Sequence, residues 1–418
     1  MSPLQRALGL PGAVVTGLGS ILGTGVFVSL AIAAGQTTRW LWLAVLAAGA
    51  LATFNGLSSA QLAAAHPVSG GTYEYGTVFV HPMAGLAAGW LFVVAKSASA
   101  ATAALGASAY LLHVLGADPG LRVPVALVIG ALLVVVVLRG IRRTAMVNAA
   151  VVGVTVLGLA TYLAAGASQG FGSPSVIELS PSPVTSFLAA TALVFVAFTG
   201  YGRIATLGEE VRDPAVTIPR AVITTLVVSA VLYAGVAAVS TLGPDGVFFA
   251  GTVDGDAAPL EVMARGWDAP TTAAIVSVAA ITAMVGVLLN LILGLSRVVL
   301  AMARRDHLPS GLAHIEDGSP NRAVVAVGAF VLLLVLIGDV GTTWGLSAVT
   351  VLLYYAITNL SALRLPDTSR RFWRWLPLAG LVACVGLAGF VDPASWVAGA
   401  GIVAMGVAVS FVSRTVQR

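Results

Sequence analysis

The sequence predicts an all-α integral membrane protein with about 12 transmembrane helices. Of its 418 residues, 58% are hydrophobic and only 9% are charged, whereas a soluble domain carries about 25% charged residues. The mean hydropathy is +0.98, and the apolar residues form runs of the roughly 20 residues that a membrane-spanning helix requires. Because these runs fill the chain, the sequence predicts a single transmembrane domain without a separate soluble one.

Each predicted span is a mainly apolar run, judged against the roughly 20 residues that a membrane-spanning helix needs. We number these segments spans 1 to 12 in chain order. The first six are residues 10–33, 40–63, 82–115, 123–138, 147–165 and 184–207. The last six are residues 218–242, 271–302, 323–337, 343–363, 372–390 and 395–412.

The arginines are divided unevenly between the two sets of loops. If the N-terminus is cytoplasmic, the outer loops hold only Arg39, Arg122 and Arg265, and most other arginines lie on the inner side. Positively charged loops stay in the cytoplasm, so we expect a multi-pass protein of the cell membrane with both termini cytoplasmic. The net charge of +4 includes no basic stripe with interleaved aromatics, which argues against a nucleic-acid partner.

Few side chains are suited to metal binding or covalent catalysis. Cys384 is the only cysteine, which excludes an internal disulfide, and the five histidines show no ligand spacing. The spans contain no paired acids and no nucleophile beside a base, and no phosphate-binding loop occurs. We therefore expect no metal, no cofactor and no enzymatic activity, and nothing indicates an obligate protein partner.

Span 1 contains a glycine-rich segment, residues 19–25, with the sequence GSILGTG. A glycine in a helix interior costs roughly 1 kcal/mol relative to alanine, and freed backbone groups are tolerated inside a membrane only where protein or a cavity surrounds them. Residues 198–202 form a second such segment in span 6. Broken helices at corresponding positions of two halves are typical of secondary transporters. The alternative is that the small residues only allow close helix packing.

The two breaks suggest an internal repeat of five spans. Spans 1 and 6 are interrupted, and spans 3 and 8 are the longest. Because five is odd, the second copy would cross the membrane in the opposite direction. We therefore expect a five-plus-five inverted-repeat fold in which residues 1–166 and 184–363 are the two repeats. Residues 372–418 would add two helices and a short cytoplasmic tail.

Five strings in this order resemble motifs of the amino acid–polyamine–organocation (APC) superfamily of permeases. They are GSILGTGVF in span 1, HPVSGGTYEYG followed by GLAAGW before and in span 3, FTGYGRIATLGEEVRDPAVTIPRAV from span 6 into span 7, GLSRVVLAMARRDHLP at the end of span 8, and YYAITNLSALRL in span 10. The resemblance covers most of the chain. It implies the inverted-repeat fold with broken helices 1 and 6, and amino acid transport by alternating access.

The chain departs from that family at two positions. Many members carry a lysine in the fifth helix where a sodium ion would bind, and the corresponding position here is Thr155. Some members that carry cationic substrates have an acid just after the sixth-helix glycine, where this chain has Gly202 followed by Arg203. The first departure argues against proton coupling through a lysine in span 5. The second argues against a cationic substrate.

The breaks are the expected substrate site. The helix after the break in span 1 would present free amides and a positive dipole end to a substrate carboxylate, and carbonyls of both breaks would accept from the substrate ammonium. The expected substrate-binding residues are Ser20, Ile21, Gly23, Thr24, Gly25, Ala197, Phe198, Gly200 and Ser97. Phe198 could cover the bound side chain, and Ser97 is included because the third helix lines the site in the resembling family.

Lys96 is the only lysine of the chain and lies near the middle of span 3. An ionisable residue at such a depth is costly and by default suggests a function. Lys96 could exchange a proton during transport, pair with an acidic substrate side chain, or be a structurally paired lysine. Tyr201 flanks the glycine of the second break, and Arg203 follows that break. Arg203 is either part of an ion-paired inner gate with Glu209 and Glu210 or a helix-end residue near the inner interface.

The resulting functional expectation is a secondary active transporter that moves amino acids across the cytoplasmic membrane. Neutral amino acids are favoured because no acid lies near either break, although Lys96 and Arg203 leave acidic ones open. Coupling to protons and exchange of substrates are both open, whereas sodium is weakly disfavoured. Alternatives are an exporter, a carrier of another small amine or organocation, and a membrane sensor with this fold that does not transport.

Overall fold

The computed structural model describes residues 9–66, 70–140, 145–170, 182–205, 211–243, 245–253, 257–315, 319–337 and 339–416. The described residues form helices joined by turns and short loops. Within these ranges, nine helices are long and apolar enough to cross a membrane, and a bent pair can supply a tenth. Glu209 and Glu210 lie outside the described residues. The prediction of an all-α membrane protein is confirmed.

The observed helices follow the predicted spans. Spans 1 to 6 correspond to Leu10–Ile21 with Gly25–Ser29 and Leu30–Ala34, to Leu41–Ala65, Pro82–Leu115, Arg122–Leu138 and Ala145–Ser168, and to Pro183–Phe198 with Thr199–Tyr201 and Gly202–Ala205. Spans 7 to 12 correspond to Pro214–Thr241, Pro270–Ala303, Asn321–Val335, Val340–Leu363, Trp375–Ala388 and Pro393–Val416. The helices at spans 9 and 11 are apolar but shorter than the others.

Short helices also lie in the connections between the spans. Thr72–Tyr75 and Gly76–Val80 precede span 3, and Pro259–Gly266 precedes span 8. Span 3 begins at Pro82, directly after His81, whose side chain accepts from the Met83 amide. Proline suits this first helical position because its missing N–H would have no helical partner there.

Spans 3, 6 and 10 form the centre of the bundle. In their most apolar windows 78%, 72% and 78% of the residues are buried inside the protein, compared with 17% for span 4 and 22% for span 12. A helix that is apolar on all sides and buried by protein belongs to the core, whereas one with an exposed apolar surface faces lipid. Any polar side chain in the middle of spans 3, 6 or 10 therefore lies against other helices.

The two predicted breaks differ in form. In span 1 the first helix ends at Ile21, Leu22 has an extended backbone with φ −73° and ψ 103°, and the helix resumes as a π-helix over Gly25–Ser29. The two parts are bent by 42°. In span 6 the interruption is one turn of 3-10 helix, Thr199–Tyr201, and Pro183–Ile204 remains a single membrane-capable segment. The break in span 6 is therefore milder than that in span 1.

Candidate functional site

A cavity of about 60 Å³ lies where the break of span 1 meets the 3-10 turn of span 6. Span 3 supplies two further polar residues, and spans 8 and 10 supply apolar ones. The lining consists of Ser20, Ile21, Thr24, Gly25, Lys96, Ser99, Val196, Ala197, Thr199, Gly200, Val287, Leu291 and Trp344. The two glycine-containing segments that the sequence singled out, far apart along the chain, thus meet at one place.

Glycine allows the two breaks to touch backbone to backbone. A Cβ atom at Gly200 would overlap the carbonyl oxygen of Ser20, and one at Gly25 would lie 2.6 Å from the Cβ of Ala197. Real side chains do not make such contacts, so a substitution at either glycine must push spans 1 and 6 apart. Gly23, by contrast, packs against Val287 of span 8.

Two tyrosines pair with the carbonyls near the break of span 1. Tyr233 of span 7 donates to the Ile21 carbonyl over 2.8 Å, and Tyr110 of span 3 donates to the Phe27 carbonyl over 2.9 Å. A backbone carbonyl left without a partner is costly in a membrane, and these bonds give each of the two carbonyls a donor. The sequence reasoning missed both tyrosines. Both could have been singled out as tyrosines inside apolar spans, because a buried phenol needs a hydrogen-bond partner for its hydroxyl group.

Thr24 carries an unpaired polar group at the cavity. The residue is only 4% exposed, and its hydroxyl has no hydrogen-bond partner among the described residues. Buried polar atoms in proteins are nearly always paired. Because Thr24 lines the cavity, its hydroxyl is available to a bound ligand.

Lys96 projects its ammonium group to the turn of span 6. Its Nζ donates to Thr199 Oγ1 over 2.7 Å, and the Thr199 hydroxyl donates in turn to the Val196 carbonyl over 2.8 Å. The side chain of Lys96 is 8% exposed. One hydrogen bond therefore connects the centre of span 3 to the interrupted part of span 6 at the cavity.

The remaining cavity wall is apolar. Val287 and Leu291 come from span 8 and Trp344 from span 10. The Trp344 indole donates to the Leu193 carbonyl over 2.9 Å, which fixes the ring. Sequence reasoning missed these three residues because nothing in an apolar span marks the positions that face a cavity. Among the described residues, no group of His, Cys, Asp or Glu is arranged to hold a metal ion.

Six of the nine expected substrate-binding residues line the cavity, namely Ser20, Ile21, Thr24, Gly25, Ala197 and Gly200. Gly23, Ser97 and Phe198 are buried outside this lining, and Phe198 packs on Tyr233 with ring centroids 5.1 Å apart. Their roles stay predictions.

The four coupling or gating candidates have separate surroundings. Lys96 lines the cavity, and Tyr201 stacks on Tyr355 with ring centroids 5.5 Å apart. Arg203 is exposed, and the Thr155 hydroxyl donates to the Val151 carbonyl over 2.8 Å. The structure thus brings only Lys96 of these four to the cavity, and the predicted roles of the other three remain predictions.

Known proteins resemble the chain over nearly its whole length. The profile of the family described as Amino acid permease matches residues 12–416. An uncharacterised transporter of Mycobacterium tuberculosis is 41% identical over 420 residues, covering 99% of this chain and 93% of that protein.

Two more distant relatives carry substrate names. A branched-chain amino acid permease of Bacillus subtilis is 26% identical over 75% of this chain and 70% of its own length. A vacuolar cationic amino acid transporter of Arabidopsis thaliana is 28% identical over 86% of this chain and 60% of its own length. Together with the helical architecture, the family match makes the chain a multi-pass membrane transporter. The chain belongs to the amino acid permease family.

Proposed function

We propose that the protein is a secondary active transporter that moves neutral amino acids across the cytoplasmic membrane by alternating access. One observation carries the proposal: a cavity with freed backbone and an unpaired Thr24 hydroxyl lies where spans 1 and 6 are interrupted. Non-helical backbone at membrane depth persists only where it is buried in protein or lines a cavity. In transporters such backbone contacts the substrate.

The α-amino and α-carboxylate groups of a substrate would be bound by the protein backbone, without a carboxylate side chain of the protein. The helix that resumes at Gly25 and continues to Ala34 directs the positive end of its dipole to the cavity, which suits a substrate carboxylate. Carbonyl groups at Ser20, Ala197 and Gly200 would accept from the ammonium group. This recognition uses only what all α-amino acids share.

The rest of the cavity favours a neutral side chain. Its apolar wall consists of Ile21, Val196, Val287, Leu291 and Trp344. Burial of a substrate's apolar side chain against this wall would favour binding by about 25 cal/mol per Å² of apolar surface. The described lining contains no aspartate or glutamate. The named substrates of relatives include both branched-chain and cationic amino acids, and these lining residues favour the former class.

Uptake into proteoliposomes tests the proposal. The purified protein is reconstituted, and entry of labelled leucine, alanine, glutamate and arginine is measured with and without an inward proton gradient and with amino acid preloaded inside. We expect leucine or alanine to enter faster than into protein-free vesicles. Stimulation by the gradient establishes proton coupling, and stimulation by preloading alone establishes exchange.

Two results would contradict the proposal. If folded protein moved only amines that lack a carboxylate, the chain would be an organocation carrier. If it moved none of the solutes in either direction, it would be a sensor that kept the fold. Efflux from loaded vesicles, measured in the same preparation, separates an exporter from an importer.

A further inference from the structure

Lys96 is the one ionisable side chain among the residues that line the cavity. It lies roughly 20 Å or more from either end of its helix, at about 1.5 Å per residue, and the residue is only 8% exposed. Its amino group stays beside Thr199. The cavity therefore contains a basic group that is buried and bonded to span 6.

No carboxylate in the described part of the chain balances this group. Its one acceptor there is the neutral hydroxyl of Thr199, and the ion pairs of the structure lie elsewhere, for example between Arg305 and Glu74. A lysine ammonium has three donors, so at least two of them are left for other partners. Any charged group that enters the cavity meets Lys96 directly.

The effect on a substrate depends on its net charge. Every α-amino acid brings one ammonium and one carboxylate, which cancel, so only the side chain adds a net charge. A cationic side chain would enter a buried space that already holds a basic group and offers no acid. It would lose its hydration without compensation from a carboxylate of the described lining residues, and like charges repel strongly at short distance in a protein interior.

We propose that Lys96 is the charge-selecting residue of the substrate site and excludes amino acids with cationic side chains. The inference rests on the proposed amino acid transport and specifies the substrate class of the same cavity. Lys96 acts through the substrate side chain, while the breaks of spans 1 and 6 bind the α-amino and α-carboxylate groups. Replacing the lysine with an acid should then reverse the preference.

The test compares competitors of equal size and different charge. Inhibition of uptake of a labelled neutral amino acid is measured with arginine and citrulline, and with the shorter pair ornithine and norleucine. For the wild type we expect the neutral member to inhibit at least about tenfold more strongly than the cationic member. In Lys96→Gln the ratio should fall towards one, and in Lys96→Glu arginine should inhibit more strongly than citrulline.

Ser99→Ala is the matched control. Ser99 lies one turn further along the same helix, lines the same cavity and bonds to Ser347 over 2.8 Å, so its substitution changes a cavity hydroxyl but no charge. The ratio should remain that of the wild type. A purely structural role of Lys96 would lower uptake of the labelled amino acid and weaken inhibition by both members of each pair equally, so that their ratio would stay unchanged.

Two outcomes would overturn the inference. One is a wild-type ratio near one for both pairs, which needs no variant and so does not depend on whether the variants fold. The other is a Lys96→Glu protein that transports but keeps the wild-type ratio. If the wild type took up no amino acid at all, the proposed function itself would fail, and uptake of the labelled neutral amino acid in the same vesicles reveals that case.

Discussion

The breaks in spans 1 and 6 meet at one cavity but are held in different ways. In span 1 the backbone bends by 42°, and tyrosine hydroxyls from spans 7 and 3 pair with the Ile21 and Phe27 carbonyls. In span 6 the backbone only tightens into one 3-10 turn, and the Thr199 side chain of that turn is bonded to Lys96.

This difference indicates separate roles for the two segments. The tyrosine bonds to span 1 come from residues outside the cavity lining, so a ligand need not disturb them, and this break is a preformed part of the site. The Lys96–Thr199 bond lies within the cavity, where a substrate can compete for it. We therefore expect span 6 to respond to substrate more than span 1 does.

The largest expected effect comes from Gly200→Ala, which tests the contact between the two breaks. The new Cβ would overlap the Ser20 carbonyl, and overpacking of this kind typically costs about 1–3 kcal/mol. Uptake per folded protein should fall at least about tenfold. Gly153→Ala is the control, because no atom lies within 4 Å of the added Cβ. Equal uptake by both variants would show that the close contact is dispensable.

Tyr233→Phe tests whether a hydroxyl from outside the lining stabilises the break of span 1. Loss of the donor leaves the Ile21 carbonyl unpaired, at a cost of about 1–3 kcal/mol, and the KM for uptake should rise. Tyr162→Phe is the control, since Tyr162 is equally buried and bonds to Ser240 over 2.7 Å away from the cavity. It should lower thermal stability without raising KM. A matching rise in KM for both variants would contradict a local role.

Thr199→Val tests the bond between spans 3 and 6 and should have the smallest effect on transport of the three variants. It removes the acceptor of Lys96, and a hydrogen bond to a charged group is worth about 1.5–3 kcal/mol. We expect the KM to change by roughly threefold to tenfold, and thermal stability to fall because the buried amino group loses its acceptor. Thr191→Val removes only a bond to the Phe187 carbonyl within the same helix and should leave the KM unchanged. If the two variants behaved alike, the Lys96–Thr199 bond would have no part in binding.

Much of the fold could be predicted because a membrane restricts what a chain can do. Apolar runs of sufficient length must be helices, and three glycines within residues 19–25 favour a break in span 1 on helix propensity alone. Residues 198–202 contain only two glycines, and there the structure forms a single tight turn. The number of glycines therefore distinguishes the strong break of span 1 from the milder break of span 6.

The walls of the site were less accessible to sequence reasoning. Val287, Leu291 and Trp344 lie in spans that are apolar on all sides, so no periodicity shows which face meets the cavity. Tyr233 and Tyr110 act through backbone carbonyls that are distant along the chain, and only the packing of helices brings them there. Lys96 was identifiable because a lone ionisable residue in a span carries its own signal.

Protection of a cysteine at the cavity by substrate tests most directly whether the two breaks form the binding site. Ser20→Cys and the exposed control Asp367→Cys are labelled with a water-soluble thiol reagent, in the presence and absence of the transported amino acid. Asp367 is suitable because its side chain is 81% exposed, and native Cys384 is buried. We expect the substrate to slow labelling at position 20 and not at position 367. Unchanged labelling at position 20 under saturating substrate would contradict a binding site at the breaks.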